Sequence, residues 1–581
     1  MKTIRNIILV VLFGIIIMLC LYIAPNFKKT GSEGKINLVI NYKNVTEKMK
    51  GRVIKEESQI YLSVDDIKNY YDKYIYYDEQ YNYIIAAGNG YLACFDINNN
   101  TLNLNNKNSN VKIIKENDQY YIPITSLQEL YNIKVDYNQD TNIVVIDSLD
   151  RELKSSNTLK KVSVKSKPTI ASRTLEELDN DATVYVRNNE DEQTQSNQVK
   201  SKFILTNINN KIKFLEVENS KNWTYIRTEN GTLGYIKNSD LSEQKIVRSE
   251  KKEENKTISL AWDYYDETYG SAPKNDANTK YTGINVVSPA FFYMKGNTVK
   301  ENVGENGRKY IEWAKSNNYE VWARVANNNL STDDMKSFSS WINDYEKRAD
   351  VINQIVNLAK KYDLDGINLD FENMYKGDKD KLSRFIIELK PRLEQLNMNL
   401  SVDVTEPDGS DSWSLCYDRN VIGDVSDYIV FMAYDQHPQK SKKAGSVAAF
   451  DWVERNINKF INNEKVNPNK IVLGIPFYTR LWKINSNGDV EVKKTANIAI
   501  KDESKYIEKA TTKEWLSDSQ QYYIEYSDNS GNTYKMWVED KDSIKQKLSL
   551  IKKYNLAGAA FWQKGNETKE ILDLIEEQLL K

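Results

Sequence analysis

DGINLDFE at residues 365–372 alternates apolar and polar side chains at the two-residue period of a β-strand. Ile367, Leu369 and Phe371 take one face, and Asn368, Asp370 and Glu372 take the other. Two carboxylates and an amide in one row are costly to bury unless the row does chemistry. Burial and mutual repulsion both favour the protonated carboxyl group, which is how a glutamic acid keeps its proton near neutrality and acts as a general acid. Glu372, at the last and most exposed step of the row, is the expected acid. A solvated edge strand is the alternative reading. Against it, the row follows a helical pattern at 348–361 and the KYDLDG run that enters the strand.

Outward from this row, from about 257 to 581, apolar runs alternate with amphipathic helical stretches. The runs are ISLAW (258–262), INVVSP (284–289), VWARVA (321–326), GINLDF (366–371), LSVDVT (400–405), YIVFMAY (428–434), IVLGIPFY (471–478) and GAAFW (558–562). Eight strands alternating with helices predict an α/β fold of the (β/α)8 or TIM-barrel class, with the active site at the C-terminal ends of the strands.

The chain is 581 residues long, enough for about three or four domains. Its 80 basic and 82 acidic side chains leave a net charge of −2. No global field draws it to nucleic acid, and no nucleic-acid partner is expected. His437 is the only histidine, which excludes zinc sites built on several histidines and serine–histidine triads elsewhere in the chain. Cys20, Cys94 and Cys416 lie far apart, so neither a disulfide framework nor a C-x-x-C metal site is available. No cofactor and no metal are expected.

Ile7 to Ala24 is an unbroken run of apolar or small residues behind Lys2 and Arg5, long enough to span or nearly span a bilayer. PNFKK follows, with no A-x-A-like cleavage site. Residues 1–30 are therefore expected to be a transmembrane helix that anchors an extracytoplasmic protein to the membrane, secreted only if that segment is cut. Between 36 and 150 a direct repeat runs without a gap. QIYLSVDDI (59–67) returns as QYYIPITSL (119–127), and YYDEQYNYIIA (76–86) as DYNQDTNIVVI (136–146). Each copy reads as two strands, a short helix (65–71; 125–131) and a hairpin, an α+β module. From 158 to 245 short β-rich runs end in NWTYIRTENGTLGYIKNSDL (222–241), where Asn230-Gly231 is a strong hairpin signal. The charged, unpatterned stretch at 246–256 reads as a linker before a catalytic domain at 257–581.

These segments carry resemblances. The repeat resembles the copper-amine-oxidase N-terminal-like module of bacterial wall proteins, without a metal-ligand set, and implies a spacer or adhesive role. Trp223, Ile226, Gly231, Gly234, Tyr235, Ile236 and Leu241 are spaced as in a bacterial SH3-type domain, a small all-β fold that often binds wall peptides. The acidic row resembles the D-G-x-D-x-D-x-E signature of glycoside hydrolase family 18, with Asp365, Gly366, Asp370 and Glu372 matching and Asn368 departing. NVVSPAFF, SVDVTEPDGSDSWSLCYDR, MAYDQH and GIPFYTRLW extend the resemblance in order through the whole segment.

The family resemblance implies a retaining mechanism in which the nucleophile belongs to the sugar. Glu372 is expected to be the acid/base, Asp370 to orient the substrate's acetamido nitrogen, and Tyr434 to bond the acetamido oxygen. Asp435, Arg480 and Trp562 are expected to bind substrate, Trp562 as a floor for the sugar, although Tyr434 and Trp562 also read as packed barrel aromatics. Asn368 is placed with the substrate-binding set, below the sugar, and is expected to hydrogen-bond Asp370. The implied activity is cleavage of β-1,4 bonds after N-acetylglucosamine, most readily in peptidoglycan of a cell or spore wall. Chitin is the alternative substrate, and a non-catalytic wall-glycan-binding barrel the alternative class.

Overall fold

The computed structural model describes residues 35–187, 202–208, 211–218, 220–249, 256–264 and 280–581. The expected anchor at 1–30 and most of the 246–256 linker lie outside these residues. Among the described residues no helix is long and apolar enough to cross a membrane. The chain divides into two compact units, Met1–Asn89 with Ala93–Glu253, and Gly90–Leu92 with Glu254–Lys581.

In the first unit the repeat is visible as structure. Ile54–Glu56 and Gln59–Ser63 form a hairpin, as do Ile114–Glu116 and Gln119–Pro123 in the second copy. The two hairpins join edge to edge, with Ile122 opposite Leu62. Each copy then turns into a short helix, Val64–Tyr70 capped by the Ser63 side chain, and Gln128–Tyr131. A seven-stranded antiparallel sheet follows, spanning Leu153 to Arg248 and so exceeding the expected 158–245 at both ends. Its hairpin turns at Asn230-Gly231, where Gly231 has φ +87°, a conformation that suits glycine. Val162, Val164, Val184, Ile226 and Ile236 form its core. The unit is therefore all-β at this point, while an SH3-type identity for it rests on the spacing of its residues alone. Arg227, 3% exposed, binds the repeat module through both oxygens of Asp147 at 2.6 Å.

The second unit is an eight-stranded parallel barrel. Its strands are β1 (Ile258–Asp263), β2 (Val286–Pro289), β3 (Glu320–Ala326), β4 (Gly366–Asp370), β5 (Asn399–Val404), β6 (Tyr428–Phe431), β7 (Ile471–Pro476) and β8 (Gly558–Trp562). Each pairs with the next, and β8 pairs with β1, so no edge is left open. The two-residue period sorts the side chains into layers. Ile367, Leu369 and Phe371 pack outward with Leu400, Val402 and Val404 against the helices. Ile258, Leu260, Trp262, Val286, Trp322, Val430 and Val472 fill the inside. Helices Tyr345–Lys361 and Lys379–Glu394 are tied by Arg348, 0% exposed, whose Nε and Nη2 each lie 3.0 Å from a Glu388 oxygen.

One element departs from simple β/α alternation. Between β7 and the helix Lys541–Tyr554 the chain forms a five-stranded antiparallel sheet from Tyr478–Ile484, Ala496–Ala499, Thr512–Leu516, Gln521–Ser527 and Thr533–Trp537. It has its own core of Leu481, Ile498, Ile524, Tyr526, Met536 and Val538. Buried Glu539 anchors it, accepting hydrogen bonds from Gln521 at 2.7 Å and from Lys547.

Candidate active site

Asp370 ends β4 and Glu372 lies two residues beyond, at the C-terminal mouth of the barrel where this fold places its chemistry. Asn327, just past β3, holds the acid in place from behind. Its side chain accepts from the Glu372 N–H at 3.0 Å and donates to the Glu372 carbonyl at 2.6 Å. Asn329 does the same for the next residue, donating to the Asn373 carbonyl at 3.1 Å. Burial, reinforced by the neighbouring charge of Asp370 and opposed by Arg324, pushes the Glu372 carboxyl up to about 8. Glu372 thus holds its proton at neutral pH.

Asp370 is 4% exposed and is clamped from β3 by Arg324, whose Nε donates to its Oδ2 at 2.5 Å while Nη2 reaches the same oxygen. Its other oxygen, Oδ1, is buried with no N–H or hydroxyl donor on it, while the protonated Glu372 carboxyl hydrogen-bonds Asp370. A carboxylate oxygen has about two acceptor sites, so Asp370 can still receive a further donor.

Asn368 does not bond Asp370, contrary to expectation. Its Oδ1 accepts from Trp262 Nε1 at 2.9 Å and Ser288 Oγ at 3.1 Å, and its Nδ2 donates to Ser401 Oγ at 3.0 Å and Asp403 Oδ1 at 2.7 Å. All four positions of the amide are used, so none is left for Asp370. At 0% exposure it lies beneath the site and reaches no sugar, which corrects its placement among substrate-binding residues.

The aromatic residues gather over this floor. Tyr434, three residues past β6, wedges its ring between Trp262 and Tyr478 at centroid distances of 6.3 Å each, and burial raises its hydroxyl far above the usual tyrosine range. Trp562, closing β8, lies against Trp262 at 5.9 Å, and the Arg324 guanidinium stands 5.9 Å from its ring centre. Lys564 pins the loop after β8 through Asp263 at 3.0 Å and faces the rings of Tyr281 and Trp313. Asp435 accepts from Tyr478 and, at 2.8 Å, from Arg480. Arg480, 3% exposed, positions Asp435, and its Nε and Nη1 are buried without a hydrogen-bond partner. His437 is fixed by the Ser446 carbonyl at 2.9 Å and packs beside Gly445, a loop-holding role.

The sequence reading missed Trp262, Arg324, Asn327 and Asp403. A signal existed for two of them. Arg324 in VWARVA and Asp403 in LSVDVT are single charges inside apolar strand runs, at positions that the two-residue period assigns to the barrel interior.

Comparison with known proteins agrees with this geometry. The model of the glycosyl hydrolases family 18 matches residues 181–567, and that of the copper amine oxidase N-terminal domain matches residues 39–146. The chain is 26% identical over 308 residues to the uncharacterized glycosylase YvbX of Bacillus subtilis, covering 52% of this chain and 87% of YvbX. It is 24% identical over 236 residues to the cortical fragment-lytic enzyme of the same organism, 39% of this chain and 52% of that protein. It is 25% identical over 269 residues to human di-N-acetylchitobiase, 40% of this chain and 69% of that protein. The match thus spans only about half the length of the cortical enzyme. With two thirds of its length matched and an acid poised at the mouth of a closed barrel, the chain belongs to family 18 of the glycosyl hydrolases.

Proposed function

We propose that this glycosidase cleaves β-1,4 bonds on the reducing side of N-acetylglucosamine in peptidoglycan, with retention and with the substrate's own acetamido group as nucleophile. One observation carries the mechanism: a protonated Glu372 hydrogen-bonds an Asp370 that Arg324 clamps on one oxygen and no N–H meets on the other. Glu372 gives its proton to the leaving glycosidic oxygen as the C1–O bond breaks, and the acetamido carbonyl oxygen bonds to C1. Asp370 Oδ1 accepts the acetamido N–H, so its negative charge stabilises the positive oxazolinium that forms. Tyr434 donates to the acetamido oxygen, and Trp562 lies under the apolar sugar face. Water then opens the ring, losing a proton to the Glu372 carboxylate, which returns to its starting state.

The wall substrate is favoured by the relation to a cortical fragment-lytic enzyme. The architecture agrees, since a repeat module and a small all-β sheet precede the barrel, and an expected N-terminal anchor would hold them all outside the cell membrane. Mass spectrometry of products from purified peptidoglycan tests the reading. New reducing-end N-acetylglucosamine is the expected result. Cleavage of N-acetylglucosamine oligomers but not of wall would assign chitin-type glycans instead, and no cleavage of either would remove the enzymatic reading of this chain.

A further inference from the structure

We infer that Tyr417, in the loop after β5, is a positioning residue that fixes the backbone carrying Glu372 and so sets where the acid delivers its proton, an inference that rests on the role proposed above for Glu372.

β4 ends at Asp370, so Glu372 stands past the last strand residue and side chains from the flanking loops hold its backbone. Asn327 and Asn329, from the loop after β3, donate to the carbonyls of Glu372 and Asn373. The carbonyl just before the acid, that of Phe371, is taken from the opposite flank. Tyr417 Oη donates to it at 2.8 Å, and Tyr417 is only 3% exposed. From the same loop the Ser412 carbonyl accepts the Met374 N–H at 3.2 Å. Three consecutive carbonyls, those of 371 to 373, are thus fixed from beyond both strands that pair with β4. A buried carbonyl that loses its donor must find another or shift, which would carry Glu372 with it.

The loop after β5 is itself closed by Arg419, 1% exposed. Arg419 Nε donates to the Thr405 carbonyl at 3.1 Å, and Nη2 donates to the carbonyls of Glu406 at 2.7 Å and Ser414 at 2.9 Å. One guanidinium thereby ties the outgoing limb of the loop to the returning one. Ser414 Oγ donates to the Glu406 carbonyl, and Thr405 Oγ1 to the Trp413 carbonyl, across the same neck. Arg419 also lies 5.4 Å from the ring centre of Tyr417 and 5.6 Å from that of Phe460, which fixes the ring that carries the hydroxyl. Burial pushes the Tyr417 hydroxyl far above the usual tyrosine range, so it remains a donor at every working pH. The loop contributes no group to the proposed reaction, yet its buried polar contacts converge on the residue before the acid.

The test compares wild type and Tyr417→Phe, as full chains, on two soluble substrates by kcat/KM, which reports the step that breaks the glycosidic bond. An N-acetylglucosamine tetramer has a sugar leaving group that needs the acid's proton. The dinitrophenyl glycoside of the N-acetylglucosamine disaccharide has a leaving group that departs without it. Tyr417→Phe removes one hydroxyl and keeps the ring. It should lose about tenfold on the tetramer and less than about twofold on the dinitrophenyl glycoside, because only delivery of the proton is impaired. Equal losses on both substrates would assign Tyr417 to packing alone and overturn the inference, and so would wild-type rates on both. Should Tyr417→Phe fail to fold, Arg419→Lys takes its place, since lysine keeps the charge but cannot fork across both limbs of the loop. The same tetramer-selective loss is expected, and any other pattern refutes the inference. Glu372→Gln separates this outcome from the proposed function. A tetramer-selective loss in Glu372→Gln with none in Tyr417→Phe keeps the acid and removes only the inference. Wild-type activity of Glu372→Gln on the tetramer, or a wild type inactive on both substrates and on peptidoglycan, removes both.

Discussion

Replacing Asp370 by Asn separates the two things that keep the Glu372 proton in place, burial and a neighbouring negative charge. The alkaline limb of the wild-type profile should lie near 8, because above that value Glu372 is ionised and has no proton to give. The Glu372 carboxyl also hydrogen-bonds Asp370, so Asp370 holds the proton on Glu372 both by charge repulsion and by accepting it, together worth on the order of 1–2 pH units. Asp370→Asn removes that repulsion and also frees Arg324 to act on Glu372, and both effects lower the Glu372 pKa. Discounting for partial hydration of the site, the alkaline limb should fall by about 1–2 units, to roughly 6–7. The maximum rate should drop by about 10²-fold or more, since the acetamido acceptor is lost as well. The assay is kcat/KM between pH 4 and 10 on a soluble N-acetylglucosamine oligomer, with a buffer of constant ionic strength. A limb that stays near 8 while the rate falls would show that burial alone holds the proton. An upward shift would refute the assignment of Glu372 as the group that titrates.

Glu372→Gln should fold and bind glycan as wild type does but lose roughly 10²- to 10⁴-fold in kcat, and its residual rate should lack the alkaline limb; activity within a few-fold of wild type would remove Glu372 from the mechanism. Asn327→Ala cuts both hydrogen bonds that fix the Glu372 backbone, and should lower kcat about tenfold with little change in KM, since misplacing the acid costs roughly 1–2 kcal/mol. A changed KM with normal kcat would mean that Asn327 meets the sugar directly. Glu388→Ala leaves the buried Arg348 without its counterion and should cost about 3–5 kcal/mol in urea unfolding of the barrel; a loss below 1 kcal/mol would show that the site rehydrates.

The barrel was legible because its strands carry a strong period-two signal between helices. Ile367, Leu369 and Phe371 face the helix layer as their alternation requires, and Asn368 and Asp370 face inward. The repeat was legible for a similar reason, since the two copies hold register without a gap and fold into matching hairpin, helix and strand pairs. The five-stranded sheet after β7 was not. QYYIEYS (521–527) has the alternation of a strand, but a reading that expects β/α units assigns such a run to the strand–helix ladder. Only the long-range pairing of 478–484 with both 496–499 and 533–537 makes it a separate sheet, and that pairing has no local sequence signature.

The site shows a sharper limit. A linear motif records neighbours along one strand, whereas the groups that tune Asp370 come from across the barrel. Arg324 is 46 residues away in sequence, and Asn368 is engaged by Asp403, 35 residues on. Read along β4 alone, Asn in place of an acid leaves Asp370 with an amide partner and one less repulsive neighbour. Read across β4 and β5, the amide is wholly taken by Trp262, Ser288, Ser401 and Asp403, and the charge of Asp370 acts on a second acid, Asp403 of the next strand. A parallel sheet makes the two arrangements nearly equivalent, because a side chain two residues back and a side chain one strand over approach a carboxylate from comparable distances. What differs is the handle available for changing it. An acid on β4 cannot be altered without touching the row that carries Glu372, whereas Asp403 can be replaced while Asn327 and Arg324 continue to hold Glu372 and Asp370.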